Sequence, residues 1–404
     1  MPDMASICAG VWIRVGSRYE PAELNGIHHF IEHMIFKGTA RRSAHQITQA
    51  VEGIGGSLDA FTGEESTCIY ARAHADHLGH VIEVMFDMLT NSIFQANDIA
   101  KERSVIKEEL AMYLDQPQHL VDDLVCETLW PNHALGRPLT GTPKTIDRFR
   151  RSRTIACHRS NYVAQNTIVA LAGNVTHARA VSLVKRHERR LRAGPIPSFA
   201  PATDKQTAPS IRLQRKNTAQ AQIAFAVRTC SRHDNRRYAV RLLNTILGEN
   251  MSSRLFQVVR EDEGLAYNIH SCVNSFHDTG SFVIYAGVDP DQLRRTVQII
   301  VRELHRIASR PPGAREFRAA KDFLIGHLDL GLEGTENQMM WLGEHLVDYG
   351  KAISPAIAKR RLAEVTAGQV QNAAKQFFRA DRANLALVSP VGNEREFLTI
   401  LERL

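Results

Sequence analysis

The sequence predicts two copies of one α+β unit joined by an extended linker, and three observations carry that prediction. The chain has 404 residues, 44% of them hydrophobic. That is room for two or three domains with sizeable cores. The stretch from Ala193 to Ser210 contains Pro195, Pro197, Pro201 and Pro209 and nearly bisects the chain. Prolines at that density favour an extended spacer. The two halves also echo each other. Val11 to Arg18 opens the first as a strand, and Ile223 to Val227, followed by Ser231-Arg232, opens the second. Late in the halves, Asn166 to Leu171 ends at Gly173-Asn174, and Asn384 to Val388 ends at Gly392-Asn393. The offsets are 214 and 218 residues. Internal similarity at a fixed offset is the signature of duplication. The expected organisation is a first domain at 1–194, a linker at 195–210 and a homologous second domain at 211–404.

The first element after the opening strand is a helix carrying His29-Phe30-Ile31-Glu32-His33. Asn25-Gly26 reads as its start and Gly38 as its stop. Ile27, Phe30, Ile31, Met34 and Ile35 follow helical spacing and form one apolar stripe. His29 and His33 lie on the opposite side, one turn apart, where two imidazoles can hold one zinc ion. Glu32 flanks them and is placed to act on a water held by the metal. His28 falls off that face and reads as a bystander. The bland alternative is a polar helix face that happens to carry two histidines.

Ser57 to Thr62 follows as a strand after the Gly55-Gly56 turn. An extended peptide can add to such a strand through main-chain hydrogen bonds, with Asp59, Ala60 and Phe61 as the contact residues.

Two helical histidines leave a catalytic zinc one protein ligand short. The helix predicted over Asn97 to Leu114 supplies the candidates. Glu102 and Glu109 share a face with Val105, Ile106 and Tyr113, whereas Glu108 falls with Lys101, Ser104 and Lys107. A carboxylate on an apolar face is costly unless paired or metal-bound. Glu102 and Glu109 therefore read as functional and Glu108 as solvated. The competing reading pairs Glu109 with an Arg or Lys.

In the second half, Ser252 to Asp262 reads as a helix, Gly264 as its stop and Tyr267 as the first residue of a strand. Arg260 and Tyr267 are seven apart across that turn. A guanidinium and a phenol can hydrogen-bond an oxyanion as it develops.

HxxEH is the inverted form of the HExxH zinc motif. With GIHHFIEHMIFKGT followed by ERSVIKEE, the chain resembles the insulinase/pitrilysin family of zinc peptidases, most nearly the bacterial relatives of mitochondrial processing peptidase. The resemblance continues through Gly55 to Thr62, Met251 to Phe256 and Gly264 to Tyr267. It implies two homologous units, each an antiparallel sheet packed with helices and facing each other as a shell. It also implies one zinc per chain, held by His29, His33 and Glu109, with Glu102 supporting a ligand histidine. Glu32 would be the general base, and Arg260 and Tyr267 would reach the substrate carbonyl. The family usually has Asn where Asp59 stands, which removes a side-chain donor to substrate. Family members also carry a strand upstream of the first one here, so a truncated or misassigned start is expected.

The expected function is therefore a zinc-dependent endopeptidase acting, as a homodimer, on peptides or unfolded polypeptide segments. The alternative is a non-catalytic peptide-binding or scaffolding subunit, for which a broken metal motif would be usual. The net charge is +7, with arginine-rich stretches at 148–153 and 186–192. No nucleic-acid motif or interleaved aromatics accompany them, so they read as solvated helix faces. The six cysteines show no CxxC spacing, which suggests reduced thiols and a cytoplasmic setting. No signal segment and no apolar run of membrane-spanning length is present, so no membrane partner is expected.

Overall fold

A computed structural model describes residues 1–404. It divides into two compact units. The first comprises Met1–Ala111, Arg137–Ala200 and Asp329–Ile353, and the second Met112–Gly136, Pro201–Leu328 and Ser354–Leu404. The contiguous division expected at 194 and 211 is thus modified, because each unit incorporates a segment from the other half of the chain.

The first unit is built on a four-stranded sheet of order β2-β3-β1-β4. Its strands are β1 (Ser6–Ile13), β2 (Ser57–Thr62), β3 (Thr67–His74) and β4 (Thr167–Gly173), all antiparallel. The opening strand lies further upstream than its Val11–Arg18 pattern predicted, and Ser17–Tyr19 forms a 3₁₀ turn instead. One face of the sheet is covered by α1 (Ile27–Ile35), α2 (Ala44–Glu52), α3 (Leu78–Asn91) and α4 (Ala96–Asp115), around buried Ile7, Ile13, Ile69 and Phe86. The other face, with Trp12 and Cys68, is covered by the helix Thr335–Tyr349. That helix reaches the sheet because Gly343 lacks a side chain. A Cβ there would stand 2.0 Å from the Trp12 Nε1 atom.

The second unit repeats the plan. Its sheet has order β5-β9-β6-β8-β7. The strands are β5 (Ser210–Arg215), β6 (Ala221–Thr229), β7 (Ala266–Ser275), β8 (Gly280–Val288) and β9 (Asn384–Ser389). Helices cover one face around Phe225, Phe282 and Leu385. The other face receives α5 (Pro117–Leu129), a helix from the first half of the chain. Removing β5, which runs parallel to β9 at the edge, leaves β9-β6-β8-β7. This matches β4-β1-β3-β2 strand for strand, so the duplication predicted from the two weak echoes is present in the topology.

The proline-rich stretch has no regular secondary structure, yet it is pinned. Phe199 packs edge-on against Tyr19, with the Arg18 guanidinium 4.0 Å from its ring centre. Further on, the Ala202 N–H donates to Asp278.

Candidate metal centre

The metal motif sits on α1, and its local sequence explains why the helix forms where it does. Ile27, Phe30, Ile31, Met34 and Ile35 are all essentially fully buried. Each contributes about 1.5–3 kcal/mol by leaving water. The N-terminus is closed in a way the sequence did not signal. Gly26 adopts φ +89° and offers no side-chain cap. A Cβ there would lie 2.5 Å from the Thr140 carbonyl oxygen, so only glycine fits. Buried Glu20 supplies the missing acceptor, taking the Gly26 N–H at 2.6 Å and the His28 N–H at 2.9 Å. Burial nonetheless raises its pKa, against those hydrogen bonds, to about 7.

The opposite face of α1 and the middle of α4 bring the predicted ligands together. Donor atoms of His29, His33 and Glu109 all lie within 4.8 Å of one another. Glu109 Oε1 is 3.8 Å from His29 Nε2, and Glu109 Oε2 is 3.7 Å from His33 Nε2. Those separations are too long for hydrogen bonds. They are close to the roughly 3.4 Å between neighbouring ligands of a tetrahedral zinc with bonds near 2.1 Å. Two imidazoles and one carboxylate are also a donor set that zinc accepts, and the residues present therefore fit the metal. No Arg or Lys pairs with Glu109, which removes the competing ion-pair reading.

Electrostatics favour the same use. Burial, with the charge of neighbouring His33, lowers the His29 pKa to about 4, so its ring is neutral and its lone pair available at neutral pH. His33 donates from Nδ1 to Glu102 Oε1 at 2.8 Å, which leaves Nε2 as the lone pair facing Glu109. Burial alone would lower His33, but Glu102, Glu109 and Glu32 outweigh it and raise its pKa. Glu102 is buried and would be raised by desolvation. Its hydrogen bonds to His33 and to Lys37, at 2.7 Å, reverse that and hold it low.

Glu32 stands beside the cluster. Thr62 at the end of β2 donates to Glu32 Oε2 at 2.5 Å. Burial raises the Glu32 pKa, with the Thr62 bond opposing and the charges of Asp59 and Glu109 adding. Thr62 and Lys37 are contacts that sequence reasoning missed. Lys37, one turn beyond His33, carried a spacing signal; Thr62 carried none.

The remaining predicted residues fall as follows. Glu108 is exposed, as its place on the wheel implied. Val105 and Tyr113, expected on an apolar face, are 48% and 42% exposed, so only Ile106 of that trio is core. His28 is off the ligand face but fully buried, its ring stacked towards Tyr162. Asp59, Ala60 and Phe61 lie on β2, at the edge of the first sheet. The Ala60 N–H donates to Asp59 Oδ1 at 2.8 Å, so part of that strand's backbone is occupied by its own side chain. In the second unit, Arg260 sits on a π-helix (Phe256–Asp262), not the longer helix expected from Ser252. Tyr267 is the second residue of β7 and is 79% exposed. The Arg260 guanidinium lies 5.0 Å from the Tyr267 ring centre and 4.8 Å from that of Phe256. The pair is thus brought together by a cation–π stack.

Two matching α+β units, with an HxxEH helix and one carboxylate brought up to its two histidines, define an inverted-motif zinc-peptidase class. Comparison with known proteins makes the assignment specific. Residues 2–143 match the family model described as insulinase (peptidase family M16), and residues 148–324 match the model described as peptidase M16 inactive domain. An uncharacterized zinc protease from Streptomyces coelicolor is 37% identical over 98% of this chain and 87% of its own. The uncharacterized zinc protease YmxG from Bacillus subtilis is 35% identical over 97% of this chain and 95% of its own. The chain belongs to the insulinase family, peptidase family M16. The fold is shared with a protease from Helicobacter pylori, at TM-score 0.89 and 20% identity, covering 96% of this chain and 94% of that one. It is shared equally with a peptidase M16 inactive domain from Pseudomonas fluorescens, at TM-score 0.89 and 19% identity, with the same coverage.

Proposed function

We propose that the chain is a zinc-dependent endopeptidase that cleaves peptides or unfolded polypeptide segments. The observation that carries this reading is the convergence of His29, His33 and Glu109 donor atoms within 4.8 Å, beside a half-buried Glu32. Those three residues would hold one zinc ion per chain. Zinc in such a site supplies Lewis acidity, polarising the scissile carbonyl and lowering the pKa of water towards ~7. Glu32 takes the proton of the attacking water and passes it to the leaving amine. Its burial suits that task, because a base raised towards neutrality can both accept and return a proton. The Thr62 hydroxyl engages Oε2 and so orients the carboxylate, leaving Oε1 as the proton acceptor. Glu102 fixes the tautomer of His33. Arg260 and Tyr267 donate hydrogen bonds to the developing oxyanion. The β2 edge takes the peptide main chain.

The purified chain, metal-stripped and then reloaded with zinc, should cleave an internally quenched peptide only when loaded. A chelator should abolish cleavage, and added zinc should restore it. Cleavage that persists in the stripped protein would remove the metal from the reaction. Zinc binding without cleavage of any peptide would favour the non-catalytic, peptide-binding reading. We also propose a homodimer acting in the cytoplasm. The complete ligand and base set makes an active partner subunit unnecessary, and sedimentation of the zinc-loaded chain tests the dimer.

A further inference from the structure

The two arginine-rich stretches that read as solvated helix faces converge on one pocket of the first unit. Its volume is about 260 Å³. Arg151, Arg159, Arg190 and Arg192 line it, and no carboxylate does. Leu89, Ile93, Phe94, Ile155 and Leu191 give it an apolar side, beside Thr90 and Ser92. One buried polar group of the lining is unsatisfied. His158 is 9% exposed and bonds the Leu89 backbone, yet its Nε2 has no partner. The hydroxyl of Tyr162, a residue 4% exposed, is hydrogen-bonded to Thr67, which does not line the pocket. Buried donors and acceptors without partners are rare and costly, at about 1–3 kcal/mol each. The His158 ring stacks on that of Tyr162 at 4.6 Å, which holds it in place.

The backbone around the pocket is held in a specific shape. Phe94 adopts φ +46°, in the left-handed region that a bulky residue rarely occupies. Arg151 fixes it there, with Nε donating to the Phe94 carbonyl at 2.9 Å and Nη2 to that of Ile93 at 3.2 Å. Strain of this kind persists at sites that bind.

We propose that this pocket binds a small organic anion whose carboxylate lies among the arginines and whose apolar body lies along the apolar side. The arginines select negative charge and suit the two oxygens of a carboxylate. The apolar side favours an organic body over a fully hydrated ion such as inorganic phosphate. His158 completes the polar contacts through its unpartnered Nε2. None of the pocket residues is a candidate metal ligand, so the site stands apart from the proposed peptidase chemistry.

The test is calorimetric titration of the full chain with octanoate, and with octan-1-ol and inorganic phosphate as comparison ligands. Octanoate should saturate one site, with the other two at least about tenfold weaker. The double variant Arg159→Ala/Arg190→Ala changes two exposed side chains, so its unfolding midpoint should match the parent while octanoate affinity falls about tenfold or more. His158→Phe keeps a ring and removes the unpartnered nitrogen, and should weaken octanoate several-fold. Absence of saturable octanoate binding would overturn the proposal. So would octan-1-ol or phosphate binding as tightly as octanoate, or a double variant that binds undiminished.

Discussion

The two units share one strand order, but only one carries a candidate metal centre, and the difference lies in the helix that follows the equivalent strand. After β1 comes α1, whose buried stripe leaves His29, Glu32 and His33 on the other side. After β6 comes the helix Arg237–Leu247, which contains no His, Asp or Glu. From Leu242 to Leu247 every residue is buried, including Asn244, whose side-chain oxygen accepts from the Ser271 hydroxyl at 2.7 Å. Both helices bury most of their residues. The remaining side of α1 carries His29, Glu32 and His33, whereas the partly exposed positions of its counterpart are Arg237, Tyr238 and Arg241, which offer no metal-binding group. The scaffold was kept in both copies, and the reactive face survives in one.

The sharpest way to break that contrast is to remove the chemistry while keeping the helix. His33→Ala should lose both zinc and cleavage, because a ligand and the Glu102 contact go together. Glu32→Gln should keep zinc by metal analysis and lose about 10²–10⁴ or more in kcat. A Glu32→Gln variant with full activity would reject the proposed base, and a His33→Ala variant that still holds one zinc tightly would reject the ligand set.

The next largest effect asks what the second unit adds. Arg260→Ala removes a charged donor from its stack with Tyr267. It should lower kcat by about 10² while zinc content stays unchanged. An unchanged kcat would leave Arg260 as a surface cation packed on two rings.

Glu102→Gln probes the support of the centre and not the centre itself. The side chain keeps its size but no longer offers a charged acceptor to His33 and Lys37. Zinc affinity should fall about 10–100-fold, measured by competition with a chromophoric chelator. Unchanged affinity would show that His33 is oriented by packing alone.

How much of this was legible in the sequence depends on whether a residue announces itself by period or by partner. α1 was legible because five apolar residues recur at helical spacing, and the ligand face followed by elimination. Glu102 and Glu109 were separable from Glu108 by the same wheel. The expected apolar company of Val105 and Tyr113 was not borne out, because a wheel gives direction and not depth. The exchange of α5 and Thr335–Tyr349 between halves was invisible. Each is an amphipathic helix by pattern, and no pattern states which sheet it will cover. Glu20 was invisible for a similar reason. It caps α1 from outside the local window in which capping signals are read, and its role depends on a turn made possible by Gly26 and Gly141. Glu20→Ala leaves two buried N–H groups without an acceptor and should cost about 2 kcal/mol. Thermal unfolding of the zinc-free chain would register this as a lower midpoint, and an unchanged midpoint would mean water replaces the cap.

The smallest expected effect concerns the edge strands, where the two units differ again. β7 presents an exposed Tyr267, whereas on β2 the Ala60 N–H is already taken by the carboxylate of Asp59. An incoming peptide main chain must compete with that carboxylate, and the same charge contributes to raising the Glu32 pKa. Asp59→Ala removes both effects. If β2 receives the substrate, KM for an extended peptide should fall by about threefold, since one freed hydrogen bond is worth about 0.5–1.5 kcal/mol. The acid limb of the kcat profile should move to lower pH, because Glu32 then ionises more readily. A shift of the limb without any change in KM would keep Asp59 as a neighbour of the base while excluding β2 as the binding edge. The two readouts therefore separate the electrostatic role of this residue from its backbone one.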